Sequence, residues 1–213
     1  EPDAVDEYRH DYSGEHDSPD LKAIDLLEDF LLRTEQLHQA GEHALAVAAY
    51  EKLHDVIYGN TDQWFGIDEI SDWLETDLKL AMSHYIASLG QICSSEEYVK
   101  RAWERVGWSD SDLLITESGP EQLRALEAHL LSEIDSDAEQ ASHMPLSLSL
   151  LRRLYASQNR DDEDQALCLR WRNRYPVLFT PLMDRAEQTR DWARLEALAR
   201  EALLVRQETE PSS

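Results

Sequence analysis

The stretch LHQAGEHALAVAAYEKLH, residues 37–54, decides how the rest of the chain is read. Gly41 sits between two apolar-periodic runs, and glycine just past a helix end supplies the left-handed conformation that closes it. Upstream, Ile24, Leu27, Phe30, Leu31 and Leu37 recur at helical spacing, with Asp20 as a suitable N-cap. Downstream, Val47, Tyr50, Leu53 and Ile57 place a second helix over residues 44–58. So short a break forces the two helices to run antiparallel. Ala46 lets the two backbones approach, and Tyr50, one turn later, fills the space beside it.

The pattern returns with changed residues at Asp191, Trp192, Leu195, Ala199 and Ala202, and more faintly at Asp161, Ala166 and Arg170. A small residue at the turn (Gly41), a small residue at the helix contact (Ala46) and an aromatic one turn on (Tyr50) resemble the tetratricopeptide repeat family. The likeness covers about 25 residues here and a similar stretch near 183–206. It departs from the family at Asp161, where glycine is usual, and at Arg170, where an aromatic is usual. The copies lie 120 and about 29 residues apart, against a family period of about 34. The resemblance implies an α-solenoid-like stack that binds other molecules, and no particular ligand.

Working outward, residues 1–19 are acidic and nearly devoid of aliphatic side chains, which predicts a flexible tail. The strongest helical run goes from Ile67 through Ile70, Trp73, Leu78, Tyr85 and Leu89, with Gly90 marking its end. Ser94 or Ser95 with Glu97 predicts a capped helix to about residue 106. Residues 107–119 read as a loop. Pro120 and Pro145 each open a helix, the first to about residue 134 and the second to about 157. The acidic run 161–164 opens a helix to about 174 that Pro176 stops. Helices near 178–189 and 191–206 complete a domain over residues 20–206, and 207–213 read as a disordered end. The expected fold is all-α: about eight or nine antiparallel helices stacked as a right-handed, TPR-like α-solenoid.

The composition bounds the function. The chain has 213 residues, 42% of them hydrophobic, with a net charge of −24. Residues 1–150 hold 33 acidic and 9 basic side chains, whereas residues 151–213 hold 11 of each. Such a surface repels nucleic acid and anionic membranes and suits a basic protein surface, besides favouring solubility. No apolar stretch approaches the roughly 20 residues of a membrane span. Cys93 and Cys168 lie in apolar helical patterns, which predicts reduced core thiols and a cytoplasmic home. The first residue is Glu, so a processed form or a piece of a longer chain is expected.

Three constellations hold chemistry-bearing residues. Glu35 with His38 and Glu51 with His54 are Glu-x-x-His pairs, the spacing used by helical-bundle metal enzymes; the competing reading is surface carboxylates beside partly buried histidines. Asp68, Asp72 and their acidic neighbours form either a solvated helix face or a site for a basic partner. Arg170, Trp171, Arg172, Arg174 and Tyr175 combine guanidinium and aromatic groups that grip a carboxylate or phosphate, unless they pair with the 161–164 run and neighbouring helices. Of the six tryptophans, Trp73, Trp103 and Trp192 are expected in the core, and Trp64, Trp108 and Trp171 on a partner-binding surface.

No zinc spacing, phosphate loop or nucleophile elbow is present, so no cofactor is implied. The expected function is a non-catalytic interaction or scaffold module for a peptide or protein. The alternatives are a metal-dependent bundle enzyme and an assembly subunit of a homo-oligomer.

Overall fold

A computed structural model describes residues 21–58, 78–106, 110–137 and 143–209. Every regular element among the described residues is helical. The α-helices are α1 (Leu21–Gln39), α2 (His43–Tyr58), α3 (Leu78–Ile92), α4 (Ser95–Arg105), α5 (Leu113–Thr116), α6 (Pro120–Asp137), α7 (Leu146–Ser157), α8 (Asp161–Trp171), α9 (Phe179–Gln188) and α10 (Trp192–Thr209). A 3₁₀ turn over Pro176–Leu178 precedes α9. The all-α expectation holds. The chain divides into two compact units, Glu1–Tyr85 and Ile86–Ser213, with the division falling inside α3.

In the first unit α1 packs on α2. Leu31 and Leu53 are buried, with Leu27, Leu78 and Ala81 packed against them. Ala46 is fully buried and Tyr50 nearly so, as a close helix contact requires. In the second unit α4 packs on α6, and from α6 each helix packs on the next through α10. Leu126, Leu130 and Ile134 repeat every four residues along α6 and all are buried, which is the stripe an amphipathic helix turns to its neighbours. Leu148, Leu150, Leu151 and Leu154 of α7 and Phe179 and Leu182 of α9 complete the interior.

Three hairpin turns share one geometry. Gly41, Asn159 and Arg190 have φ of 77°, 54° and 57°. In each case the next backbone N–H reaches back five residues: Glu42 to Leu37 at 2.9 Å, Arg160 to Tyr155 at 2.9 Å and Asp191 to Ala186 at 2.8 Å. This is the Schellman closure, with its left-handed residue directly after the C-cap. It fixes the register of the fainter copy, because the turn residue is Asn159 and not Asp161. Ala166 and Arg170 are therefore exposed, while Leu167 and Cys168 are buried. Asp191 caps α10 by accepting from the Arg194 backbone at 3.1 Å.

Other boundaries differ locally. Gly90 lies inside α3 and does not end it: the helix runs on to Ile92, and the Gly90 carbonyl accepts from Gln122 Nε2 of α6 at 3.4 Å. Ser94 caps α4 as expected, accepting from the Glu97 backbone at 3.4 Å. The stretch 107–119 holds the short helix α5, because Leu113 and Leu114 are apolar enough to be buried. The 161–174 helix stops at Trp171, and α10 continues three residues into the stretch expected to be disordered.

Candidate functional site

Glu35 of α1 sits at the middle of a polar cluster in the first unit. Its carboxylate accepts from Gln39 Nε2 at 2.7 Å and from Tyr50 Oη at 3.4 Å. His84 of α3 brings Nδ1 onto the same carboxylate. The His38 ring stacks on His84, with centroids 4.4 Å apart and planes 17° from parallel. His43 meets His38 nearly edge-on at 5.8 Å. Tyr85 donates to Glu51 Oε1 at 3.2 Å, and its ring lies 6.2 Å from that of Tyr50. The three helices thus bring together residues far apart in sequence. Burial holds His38 below its ordinary value, reinforced by His84 and His43 and opposed by Glu35. Burial and the Glu35 charge push the Tyr50 phenol upward, so it keeps its proton.

Glu35 and His38, suggested by their spacing, do meet here, whereas Glu51 bonds to Tyr85 and His54 lies half-buried elsewhere on α2. Among the described residues no three His, Cys, Asp or Glu side chains are placed to hold a metal ion. The stacked imidazoles turn their faces, not their nitrogen lone pairs, to each other, and the Glu35 oxygens already receive three donors. Sequence reading missed His84. It lies 49 residues from Glu35 and belongs to no motif, so nothing local marks it.

The second candidate is the arginine–tryptophan turn that ends α8. Arg170 places its guanidinium 5.1 Å from the Trp171 ring centroid and donates to Asp135 of α6 at 2.8 Å. Arg172 donates to Glu201 of α10 at 2.9 Å. The arginines therefore pair with neighbouring helices and not with the 161–164 run, whose Asp164 receives Arg152 at 2.8 Å and whose Asp162 faces Arg185 at 3.3 Å. Arg174 is exposed. Trp171 is half-buried, and its Nε1 and the Tyr175 hydroxyl are both buried without a protein partner. Trp192, expected in the core, is 59% exposed. It is the first residue of α10, and the stripe that packs inward begins three residues later at Leu195. Trp103 is half-buried and meets His129 at 5.4 Å. Trp64, Asp68, Asp72, Trp73 and Trp108 lie outside the described residues.

The most connected ion pair was not signalled by spacing. Arg160 grips Glu127 of α6 with two bonds of 2.6 and 2.9 Å, donates to Glu163 at 3.0 Å and lies 4.6 Å over the Tyr155 ring. Tyr155 donates to the same Glu127 at 3.0 Å. These bonds hold Glu127 below the ordinary carboxylate range, with Arg160 the main cause. Burial chiefly raises the Tyr155 phenol to about 12. Burial also raises the Cys168 thiol to about 11, which keeps it protonated.

No protein-family model, curated protein or solved structure matches this chain.

Proposed function

We propose that this chain is a non-catalytic interaction module built of TPR-like helical hairpins, and that its partner is a protein or peptide with a basic surface. One observation carries the reading: six arginines of the second unit are committed to the chain's own carboxylates, and the surplus charge faces outward. Arg152, Arg160, Arg170, Arg172, Arg185 and Arg200 each pair within the second unit. Residues 1–85 still carry a net −16 and residues 86–213 a net −8. Exposed carboxylates such as Glu42, Asp55, Glu96, Glu97, Glu121 and Asp184 present that charge. Charge of one sign steers an opposite partner and raises its association rate. The Arg170–Trp171 ledge adds an aromatic surface of the kind that anchors interfaces.

The perturbed side chains also support binding over chemistry. Tyr50, Tyr98, Tyr155 and Cys168 are all pushed towards their protonated, unreactive forms. Free Cys93 and Cys168 fit the reducing cytoplasm proposed for it, and no described helix is long and apolar enough to cross a membrane.

The test is capture from a native lysate on the immobilised chain, eluted with rising salt. The expected result is a discrete basic polypeptide, released by salt and recovered more weakly on a Trp171→Ala chain. Capture of nucleic acid, or of nothing above a control of equal net charge, overturns the proposal.

A further inference from the structure

Helix α10 has two unlike faces. Leu195, Leu198, Ala199, Ala202 and Val205 are buried or half-buried on one side. At 100° per residue the other side gathers Trp192, Ala193, Glu196, Arg200, Leu203 and Leu204 into one arc of about 120°, and all six are exposed. Trp192, Leu203 and Leu204 are 59%, 62% and 62% exposed. Three large apolar side chains on a single face are more than the scattered leucines of an ordinary surface.

The order of residues along that face says what covers it. Glu196 and Arg200 lie at the centre, 2.6 Å apart, with apolar residues at both ends. Laid antiparallel on a second copy about the level of residue 198, the face matches itself. Trp192 opposes the partner's Leu203, Ala193 opposes the partner's Leu204, Glu196 opposes the partner's Arg200, and the reciprocal contacts follow. Apolar thus meets apolar, and acid meets base. A parallel alignment sets Glu196 on Glu196 and Arg200 on Arg200, which is repulsive. Self-complementarity of this kind is what a twofold interface requires.

We infer that α10 is a homodimerisation surface, its exposed face pairing antiparallel with α10 of a second copy. This surface is independent of the basic partner proposed above, and either can fail while the other stands. It also differs from a head-to-tail charge contact between the acidic and neutral parts of two chains, because each copy contributes the same residues.

The test is sedimentation equilibrium of the full chain, with far-ultraviolet circular dichroism to check helix content. The wild type is expected to dimerise with Kd on the order of 10 µM. Leu204→Glu, on an exposed side chain, is expected to leave a helical monomer. Glu196→Arg and Arg200→Glu each place like charges across the axis and weaken the dimer by about tenfold. An equimolar mixture of those two variants restores opposite charges at both contacts and is expected to recover the dimer as a heterodimer. A wild type that stays monomeric well above that concentration overturns the inference. So does a dimer indifferent to Leu204→Glu, or a mixture no more associated than its components.

Discussion

The first hairpin, α1–α2, and the last, α9–α10, turn by the same backbone bonds around residues of opposite suitability. Gly41 takes a φ of 77° without strain, whereas Arg190 holds 57° with a side chain that disfavours it. The helices dictate the turn and the residue tolerates it. The hairpins also differ in their inner positions. Ala46, Tyr50 and Leu53 lie five, nine and twelve residues beyond the first turn and are all buried. Leu195, Ala199 and Ala202 hold the same places after Arg190 and are only half-buried. The first hairpin buries these positions; the last leaves them half-covered, with Trp192, Leu203 and Leu204 facing out. One fold unit can thus bury its apolar residues at one place and expose them at another.

The largest expected effect strains this contrast directly. Ala46→Leu forces bulk into a fully buried contact and should cost about 3 kcal/mol, whereas Leu195→Ala at the matching position should cost about 1 kcal/mol; urea unfolding measures both. Equal costs would remove the distinction between the buried and the half-buried positions.

Next comes the middle hairpin, where Arg160 follows the left-handed residue. Arg160→Ala leaves the Glu127 carboxylate half-buried and should cost about 2 kcal/mol, while Glu42→Ala at the equivalent exposed position should cost under about 0.5 kcal/mol. The pair also has a pH signature. Glu127 is held below its ordinary value, so its contribution is complete above the normal carboxylate range. It is lost as pH falls through that range and below it. Urea midpoints taken from neutral pH downward should show this loss in the wild type and not in Glu127→Gln.

Smaller effects separate the turns themselves. Gly41→Ala has open space around the added carbon and suffers only from its φ, so it should lose about 1 kcal/mol. Arg190→Gly should gain about 0.5 kcal/mol, the relief of strain exceeding the entropy glycine adds to the unfolded chain. A destabilised Arg190→Gly would mean that the arginine side chain supports its own turn. The smallest expected effect is at His38. Its value is depressed in the fold, so protonation opposes folding, and stability should decline as pH drops below about 6.5. His38→Gln should flatten that decline, as read from thermal midpoints across the range.

Helices were legible wherever local periodicity and a cap coincided. Ser94, Pro120 and Pro145 each marked a start that the structure keeps, because a cap acts within one turn of itself. The fainter repeat was misregistered by two residues because Asn159 does not advertise a left-handed conformation as Gly41 does. Gly90 misled in the opposite direction: glycine permits a helix end without requiring one, and α3 continues through it. The polar cluster was half legible. Glu35 and His38 share a local spacing, but His84 arrives from another helix, and that meeting is a tertiary fact. Trp171 and Trp192 show the same limit, since residue type does not say which side of a helix finds a neighbour.

We propose that this chain works through its outward charge and not through a reaction centre. The most direct measurement is the Kd of the captured basic partner against salt concentration, for the wild type and for Glu35→Gln, which dismantles the imidazole–carboxylate cluster while keeping its volume. We expect affinity to fall steeply with salt and to be the same in both proteins. Binding that ignores salt, or that disappears with the Glu35 carboxylate, would contradict it.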